Sequence, residues 1–325
     1  MRTPGASLMR KPNRDGVLAA AAKIAEILPE TPLLSFERDG ATIWCKAESL
    51  QPMGAFKLRG AWHRLTDLDA QQRADGVVAF SSGNHAQGVA WSAKRLGMPS
   101  TIVMPSDAPR KKLENTRALG AEIILYDRMT EDRAAIGAAL AAERGATLVP
   151  SFDDAWVIEG QGSAGIEATA QMEARAGGAP DRIVIPCGGG GLSAGIALAC
   201  PDAEIVIAEP EGWDDMRQSL ETGEIVPVGP NPPPTACDAL QTTLVSPLTF
   251  EVLSGRGATG VAVSEAEVAE AMRFAFDKLR LVVEPGGAAA LAAVLAGKVE
   301  LGERTLVIIS GGNVDDARFA AVLSA

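Results

Sequence analysis

Residues 182–197 read RIVIPCGGGGLSAGIA. The run Ile183-Val184-Ile185 is β-branched and uninterrupted by polar residues, the pattern of a strand buried on both faces. Four consecutive glycines follow, Gly188, Gly189, Gly190 and Gly191, and the apolar stretch from Leu192 starts a helix. Glycines let a backbone approach an anion and adopt positive φ, and the first turn of a helix directs unpaired N–H groups outward. The segment is therefore read as an anion cradle between a strand and a helix, with the anion unspecified. Two other readings stay open at this point. Gly189-x-Gly191-x-x-Ala194, with Glu209 twenty residues after Gly189, fits a dinucleotide fingerprint, and a glycine turn can also serve only to pack a strand against a helix.

The same alternation extends in both directions. Short apolar runs at 76–80, 100–104 and 122–125 are separated by amphipathic stretches at 84–96, 111–119 and 131–144. Further strands are expected at 182–186, 204–208 and 305–309, with helices from 192 and 214. Strands alternating with helices predict an α/β protein with parallel sheets, and the two groups of runs predict two sheets. The segment VPVGPNPPPT at 226–235 carries too much proline for a helix or central strand, so it reads as an ordered surface connection leading a loop toward the active site. Ser-Gly-Asn at 82–84 faintly echoes Ser-Gly-Gly-Asn at 310–313, and both follow an apolar run.

A chain of 325 residues, 47% hydrophobic, exceeds the size at which single cores stop growing, so two lobes are expected. A net charge of -11 repels phosphate backbones and argues against nucleic acid as a partner. The sequence contains no apolar run of the length that spans a bilayer, and 1–14 lacks an apolar signal region, so no membrane partner and a cytoplasmic location are expected. Cys45, Cys187, Cys200 and Cys237 are widely spaced and form no C-x-x-C pair, which reads as buried free thiols. With His63 and His85 the only histidines, a multi-histidine metal site is excluded, and any metal must rest on oxygens.

The decisive second segment is SLQPMGAFKLRGA at 49–61, in which Lys57 follows a Gly-Ala-Phe turn and opens a helical stretch. Lysines are normally solvated, but a desolvated one has a lowered pKa, and its neutral amine can attack an aldehyde to form an imine. Together with SSGNHAQG at 81–88, the tetraglycine and SGGN at 310–313, this segment resembles the serine/threonine dehydratases and serine racemases, which are fold type II pyridoxal-phosphate enzymes. The resemblance runs nearly end to end, with four motifs in order.

What the resemblance implies is specific. The fold is expected to be two-lobed and tryptophan-synthase-β-like, with a parallel-type sheet flanked by helices in each lobe; a large cofactor-binding domain comprises 1–66 and 150–325, and a small domain at 67–149 is inserted. Lys57 is expected to form the imine with pyridoxal phosphate beside Phe56, Asn84 to bond the ring hydroxyl, Gly188 to Gly191 to hold the phosphate, and Ser310 to bond the pyridine nitrogen. Ser81, Ser82, Asn84 and His85 are expected to hold the substrate carboxylate, with Arg133 as a further carboxylate contact. A neutral hydroxyl at the ring nitrogen makes a weaker electron sink, which suits elimination better than long-lived carbanion chemistry. The expected reaction converts a small 3-hydroxy amino acid (threonine, serine or 3-hydroxyaspartate) to a keto acid and ammonia, with Lys57 as general base.

The chain departs from the biosynthetic dehydratases at Ser82, where they carry alanine and serine racemases carry serine. A second acid/base group on the opposite face would permit racemisation, and a β-replacement synthase would share the lysine and glycine motifs. Glu209-Pro-Glu-Gly-Trp-Asp-Asp215 resembles the racemase branch's divalent-cation segment, implying Glu209, Asp215 and the Trp213 carbonyl as ligands for Mg²⁺ or Ca²⁺. Ala239 stands where the family commonly has glycine, which would narrow the space beside the cofactor. The family resemblance further implies a homodimer, and no regulatory domain is expected after Ala325.

Overall fold

In the computed structural model, which describes residues 10–81, 83–108 and 110–324, the described residues form ten strands in two sheets. The strands are β1 (Leu33–Arg38), β2 (Ala41–Ala47), β3 (Val77–Phe80), β4 (Ser100–Pro105), β5 (Glu122–Tyr126), β6 (Thr147–Leu148), β7 (Arg182–Pro186), β8 (Glu204–Pro210), β9 (Thr259–Val263) and β10 (Thr305–Ile309). One sheet has the order β1-β2-β10-β7-β8-β9 and the other β5-β4-β3-β6. Every pairing is parallel except β1 with β2. That edge hairpin, not singled out by the apolar pattern, turns at Asp39 and Gly40, whose φ values of 51° and 81° are those of a two-residue turn that matches strand twist.

The smaller sheet lies, in sequence, between β2 and β7. The chain reaches it through the helix Lys57–Thr66 and returns through the helix Ala155–Ala176. The central strands β7 and β10 are buried along almost their whole length, as their unbroken Ile and Val runs require. Against them lies the helix Pro285–Leu295, PGGAAALAAVL, whose small side chains fit close to a sheet and leave no polar face. The 226–235 segment is neither helix nor strand and is largely exposed, as its prolines demand. All four cysteines are buried and free.

The helix Ala155–Ala176 sets the positions of the parts that matter. A Cβ at Gly160 would lie 2.6 Å from the Arg59 carbonyl oxygen, and one at Gly162 would lie 2.4 Å from the Gly195 carbonyl oxygen. One helix thus sits against both the lysine helix and the helix after the tetraglycine, with backbone touching backbone. The lysine helix is also held by charge. Arg59, 1% exposed, donates from Nε and Nη2 to Glu48, both at 2.7 Å, and from Nη2 to Glu167 at 2.9 Å. Lys46, 0% exposed, joins the cluster through Glu167 at 2.5 Å.

Removing Arg59 leaves Glu48 buried and without its counter-ion. Arg59→Ala is expected to cost about 3 to 5 kcal/mol of unfolding free energy, read in urea titration as a lower midpoint with an unchanged slope.

Candidate active site

Three strands end at one cleft. β3 leads into Ser81 and Asn84, β7 into Gly188 to Gly191, and β10 into Ser310, so the groups gather at the carboxyl ends of parallel strands, where α/β sheets bind ligands. Phe56, Lys57, Ser81, Asn84, His85, Arg133, the four glycines and Ser310 all line a single cavity of about 260 Å³. The sequence-derived candidates scattered over more than 250 positions therefore meet in space. Ser82 lies outside the described residues.

Lys57 is the first residue of its helix and half-buried. Its Nζ donates to the Ser151 carbonyl at 2.9 Å and lies 5.0 Å from the centre of the Phe56 ring. Burial brings its pKa down to about 8, because little water remains to stabilise the ammonium form. The turn before it is tied to the far wall: Phe56 N donates to Ser310 O at 3.1 Å, and Ala55 forms a bridge with Gly311.

The helix Gly191–Ala199 has Gly190 as its N-cap and no side chain capping it, so its leading amides remain available to an anion. Only Gly190 among the four glycines has positive φ, at 83°. The others answer to crowding: a Cβ at Gly189 would lie 2.3 Å from the Phe152 ring, and one at Gly191 would lie 2.6 Å from Gln161 Oε1.

The Asn84 side chain is gripped at both ends. Its Nδ2 donates to Glu284 Oε1 at 2.6 Å and its Oδ1 accepts from Asn313 Nδ2 at 2.7 Å. The two echoing Ser-Gly-Asn segments thus meet through their asparagines. Ser81 Oγ accepts from Gly83 N at 3.2 Å. The His85 imidazole, also lining the cavity, donates from Nε2 to Val149 O at 2.8 Å, and burial followed by the charge of Lys57 lowers its pKa to about 3. A neutral ring brings no positive charge to the cavity. Arg133 sits 5.9 Å above the Phe80 ring and has no carboxylate partner among the described residues.

Glu209, Trp213 and Asp215 lie outside this cavity's lining. Glu209, 0% exposed, accepts from Met216 N at 3.2 Å and Arg217 N at 2.7 Å, capping the helix Asp215–Thr222. Its carboxylate is committed inside the protein, which removes the ribose-binding role that a dinucleotide reading requires. Asp215 is 1% exposed and neither of its carboxylate oxygens has a hydrogen-bond partner of good geometry among the described residues. Burial first, and neighbouring carboxylates after it, push Glu209 well above the usual range and Asp215 to about 7. The Trp213 indole donates to Pro233 O at 2.8 Å. No cluster of three or more His, Cys, Asp or Glu side chains placed to hold a metal occurs among the described residues.

Several cavity residues were not visible as such in the sequence. Ser151 and Phe152 precede the long helix, and Lys112 pairs with Asp238 at 3.2 Å at the cavity wall. Glu284 carried a signal, since an acidic residue directly before Pro285-Gly286-Gly287 marks a helix start, though nothing local says that it faces a cavity.

The family model described as pyridoxal-phosphate dependent enzyme matches residues 24–311. The chain belongs to that family. The pyridoxal-phosphate-dependent enzymes it resembles include the L-threo-3-hydroxyaspartate ammonia-lyase of Saccharomyces cerevisiae, 42% identical over 96% of this chain and 97% of that protein. The serine racemase of Schizosaccharomyces pombe is 38% identical over 96% of this chain and 98% of the relative. Among solved structures, maize serine racemase superposes with a TM-score of 0.88 at 34% identity, covering 97% of this chain and 98% of that one. The fold is accordingly fold type II. The site suits the family's cofactor on its own terms: a desolvated amine for an aldehyde, an uncapped helix N-terminus for a phosphate, and the buried Ser310, 5% exposed, share one cavity.

Because its ammonium form is disfavoured, Lys57 loses its proton at lower pH than exposed lysines. In cofactor-free protein, trapping of a small aldehyde by borohydride is expected to label Lys57 with a rate that rises through about pH 8, measured by peptide mapping. Labelling that instead climbs only in the ordinary lysine range contradicts the desolvated amine.

Proposed function

We propose that this enzyme removes water from 3-hydroxyaspartate, releasing a keto acid and ammonia, and that residues 67–149 form a smaller lobe over the site. The observation that carries this choice of substrate is Arg133, a cation without a carboxylate partner among the described residues, in the same cavity as Lys57. Arg133 also opens the helix Arg133–Arg144, where the macrodipole disfavours a positive charge, so its location is explained better by a ligand than by helix stability. Threonine and serine lack the second carboxylate that such a group would bind. The similarity to 3-hydroxyaspartate ammonia-lyases supports the same choice.

Lys57 would hold the cofactor aldehyde, the amides of Gly188 to Gly191 its phosphate, Asn84 its ring hydroxyl and Ser310 its ring nitrogen, with Phe56 alongside. Bound there, pyridoxal phosphate supplies an electron sink for the substrate α-carbon. Around it, the backbone amides and hydroxyls at Ser81 to His85 hold the α-carboxylate, and Arg133 holds the distal carboxylate by charge-assisted hydrogen bonds. Lys57 Nζ, neutral above about pH 8, accepts the α-proton. Ser82 is proposed as the acid/base group of the opposite face, which gives racemisation as a side activity and is supported by the similarity to serine racemases.

The test is a substrate panel on holoenzyme, with Lys57→Ala as the inactive control. Keto acid is expected from 3-hydroxyaspartate, and Arg133→Ala is expected to raise KM for that substrate about 10- to 100-fold while leaving serine nearly unchanged, the loss appropriate to one charge-assisted contact. Turnover of threonine or serine without 3-hydroxyaspartate rejects the dicarboxylate reading. Consumption of substrate only when a thiol is added rejects elimination in favour of β-replacement.

We also propose a divalent cation, Mg²⁺ or Ca²⁺, on Glu209, Asp215 and the Trp213 carbonyl. Two buried carboxylates, one with no hydrogen-bond partner of good geometry, are the oxygen donors such an ion takes. Without the ion the raised pKa of Asp215 makes the folded state lose stability as pH rises from the ordinary carboxylate range through about 7, and the raised pKa of Glu209 acts in the same direction, since the protonated form is the one the fold favours. Added cation is therefore expected to stabilise the fold, by about 2.7 kcal/mol at a hundredfold excess over Kd, and to raise Tm more at alkaline than at mildly acidic pH, and Glu209→Gln with Asp215→Asn abolishes the increment in differential scanning calorimetry.

A further inference from the structure

Glu284 has no role in the reaction described above, yet it is 4% exposed, lines the same cavity and is aimed at Asn84. It stands at the N-cap of the helix Pro285–Leu295, but its side chain caps nothing there. The carboxylate instead takes the Asn84 Nδ2 hydrogen bond at 2.6 Å. Space for this is made by Gly311, where a Cβ would lie 2.0 Å from Glu284 Oε1. On the other end of the amide, Asn313 Nδ2 donates to Asn84 Oδ1 at 2.7 Å and to Met53 O at 2.8 Å. An ionised carboxylate only accepts and an amide nitrogen only donates, so the Asn84 side chain has one permitted orientation. That orientation leaves one Nδ2 hydrogen uncommitted.

Two charged neighbours act on Glu284, and the titratable His85 lines the same cavity. Asp238, on the turn Asp238–Leu240, raises its proton affinity, and Lys112, on the helix Arg110–Ala118, lowers it; these two pair with each other at 3.2 Å. His85, on the helix Asn84–Leu96, is neutral and turned to Val149. Burial is the largest influence and, with Asp238, outweighs the Asn84 hydrogen bond and Lys112, bringing the carboxyl to about 7.

We propose that Glu284 is a positioning residue for the reaction: its carboxyl fixes the Asn84 amide so that the remaining Nδ2 hydrogen meets the ring hydroxyl oxygen of the bound cofactor, and its ionisation sets the charge state of that oxygen. The inference rests on the assignment of Asn84 and Lys57 to the cofactor given above. Like charges at close range oppose each other, so an ionised Glu284 disfavours negative charge on the ring oxygen and a protonated one permits it. The ring's visible absorption therefore follows the protonation of a residue that acts through Asn84.

The experiment is a visible-absorbance titration of holoenzyme across neutral pH, with thermal melts and kinetics alongside. Wild type is expected to change its band with a midpoint near 7, and Glu284→Gln, an isostere that cannot ionise, to keep the band but lose the change. Its kcat falls about tenfold with KM held, the usual scale for loss of a residue that orients another. Asp238→Asn, which removes a charge that raises the Glu284 pKa, shifts the midpoint to lower pH even if Glu284→Gln folds poorly. A wild-type titration that persists in Glu284→Gln, or a midpoint unmoved in Asp238→Asn, overturns the inference alone. Absence in wild type of any band that Lys57→Ala lacks overturns the cofactor assignment beneath it.

Discussion

At Gly160 and Gly162 one helix lies against two others with no side chain between them, and the cavity depends on that closeness. The lysine helix and the helix behind the tetraglycine come from opposite sides of the smaller sheet in sequence, and each is seated on the helix Ala155–Ala176. A methyl group at either glycine would meet a backbone carbonyl, which cannot swing aside as a side chain does. The buried cluster of Arg59, Glu48, Glu167 and Lys46 complements this contact, because its hydrogen bonds demand a particular position of the lysine helix where apolar packing alone tolerates several.

Within that frame the cavity handles charge sparingly. The protein is acidic overall, yet burial disfavours the ionised forms of Lys57 and His85, and it holds Glu284 near its midpoint at neutral pH. Groups that lose charge easily are those able to exchange protons and covalent partners, and desolvation is the largest cause of all three shifts, aided at His85 by the charge of Lys57 and at Glu284 by Asp238. Arg133 contrasts with them, retaining its charge over an aromatic face at the cavity wall.

The Glu209 region shows the same physics used differently. Its carboxylate satisfies two leading amides of a helix, while Asp215 beside it lacks well-formed hydrogen bonds, so the pair stores electrostatic cost away from the cavity. The spacing from Gly189 to Glu209 by itself also fits a ribose contact, though a match of that length is weak. Burial and two backbone hydrogen bonds give the Glu209 carboxylate a different use.

The sequence by itself determined the strands of β-branched residues, the helix starts at Lys57 and Asn84, and the turn at the tetraglycine, because these follow from steric and hydrogen-bonding preferences that act over a few residues. Its motifs also named the family, and with it the lysine, the glycines and Ser310. The edge hairpin β1/β2, the sheet order, the hydrogen bond of His85 to Val149 and the contacts of Ser151, Asn313 and Glu284 around Lys57 and Asn84 were decided by tertiary structure. Each depends on which carbonyl, amide or carboxylate arrives from a distant segment, and Glu284 is two hundred residues from Asn84. No local pattern encodes such an encounter, because it is fixed by how the helices and sheets pack and not by the preferences of either residue.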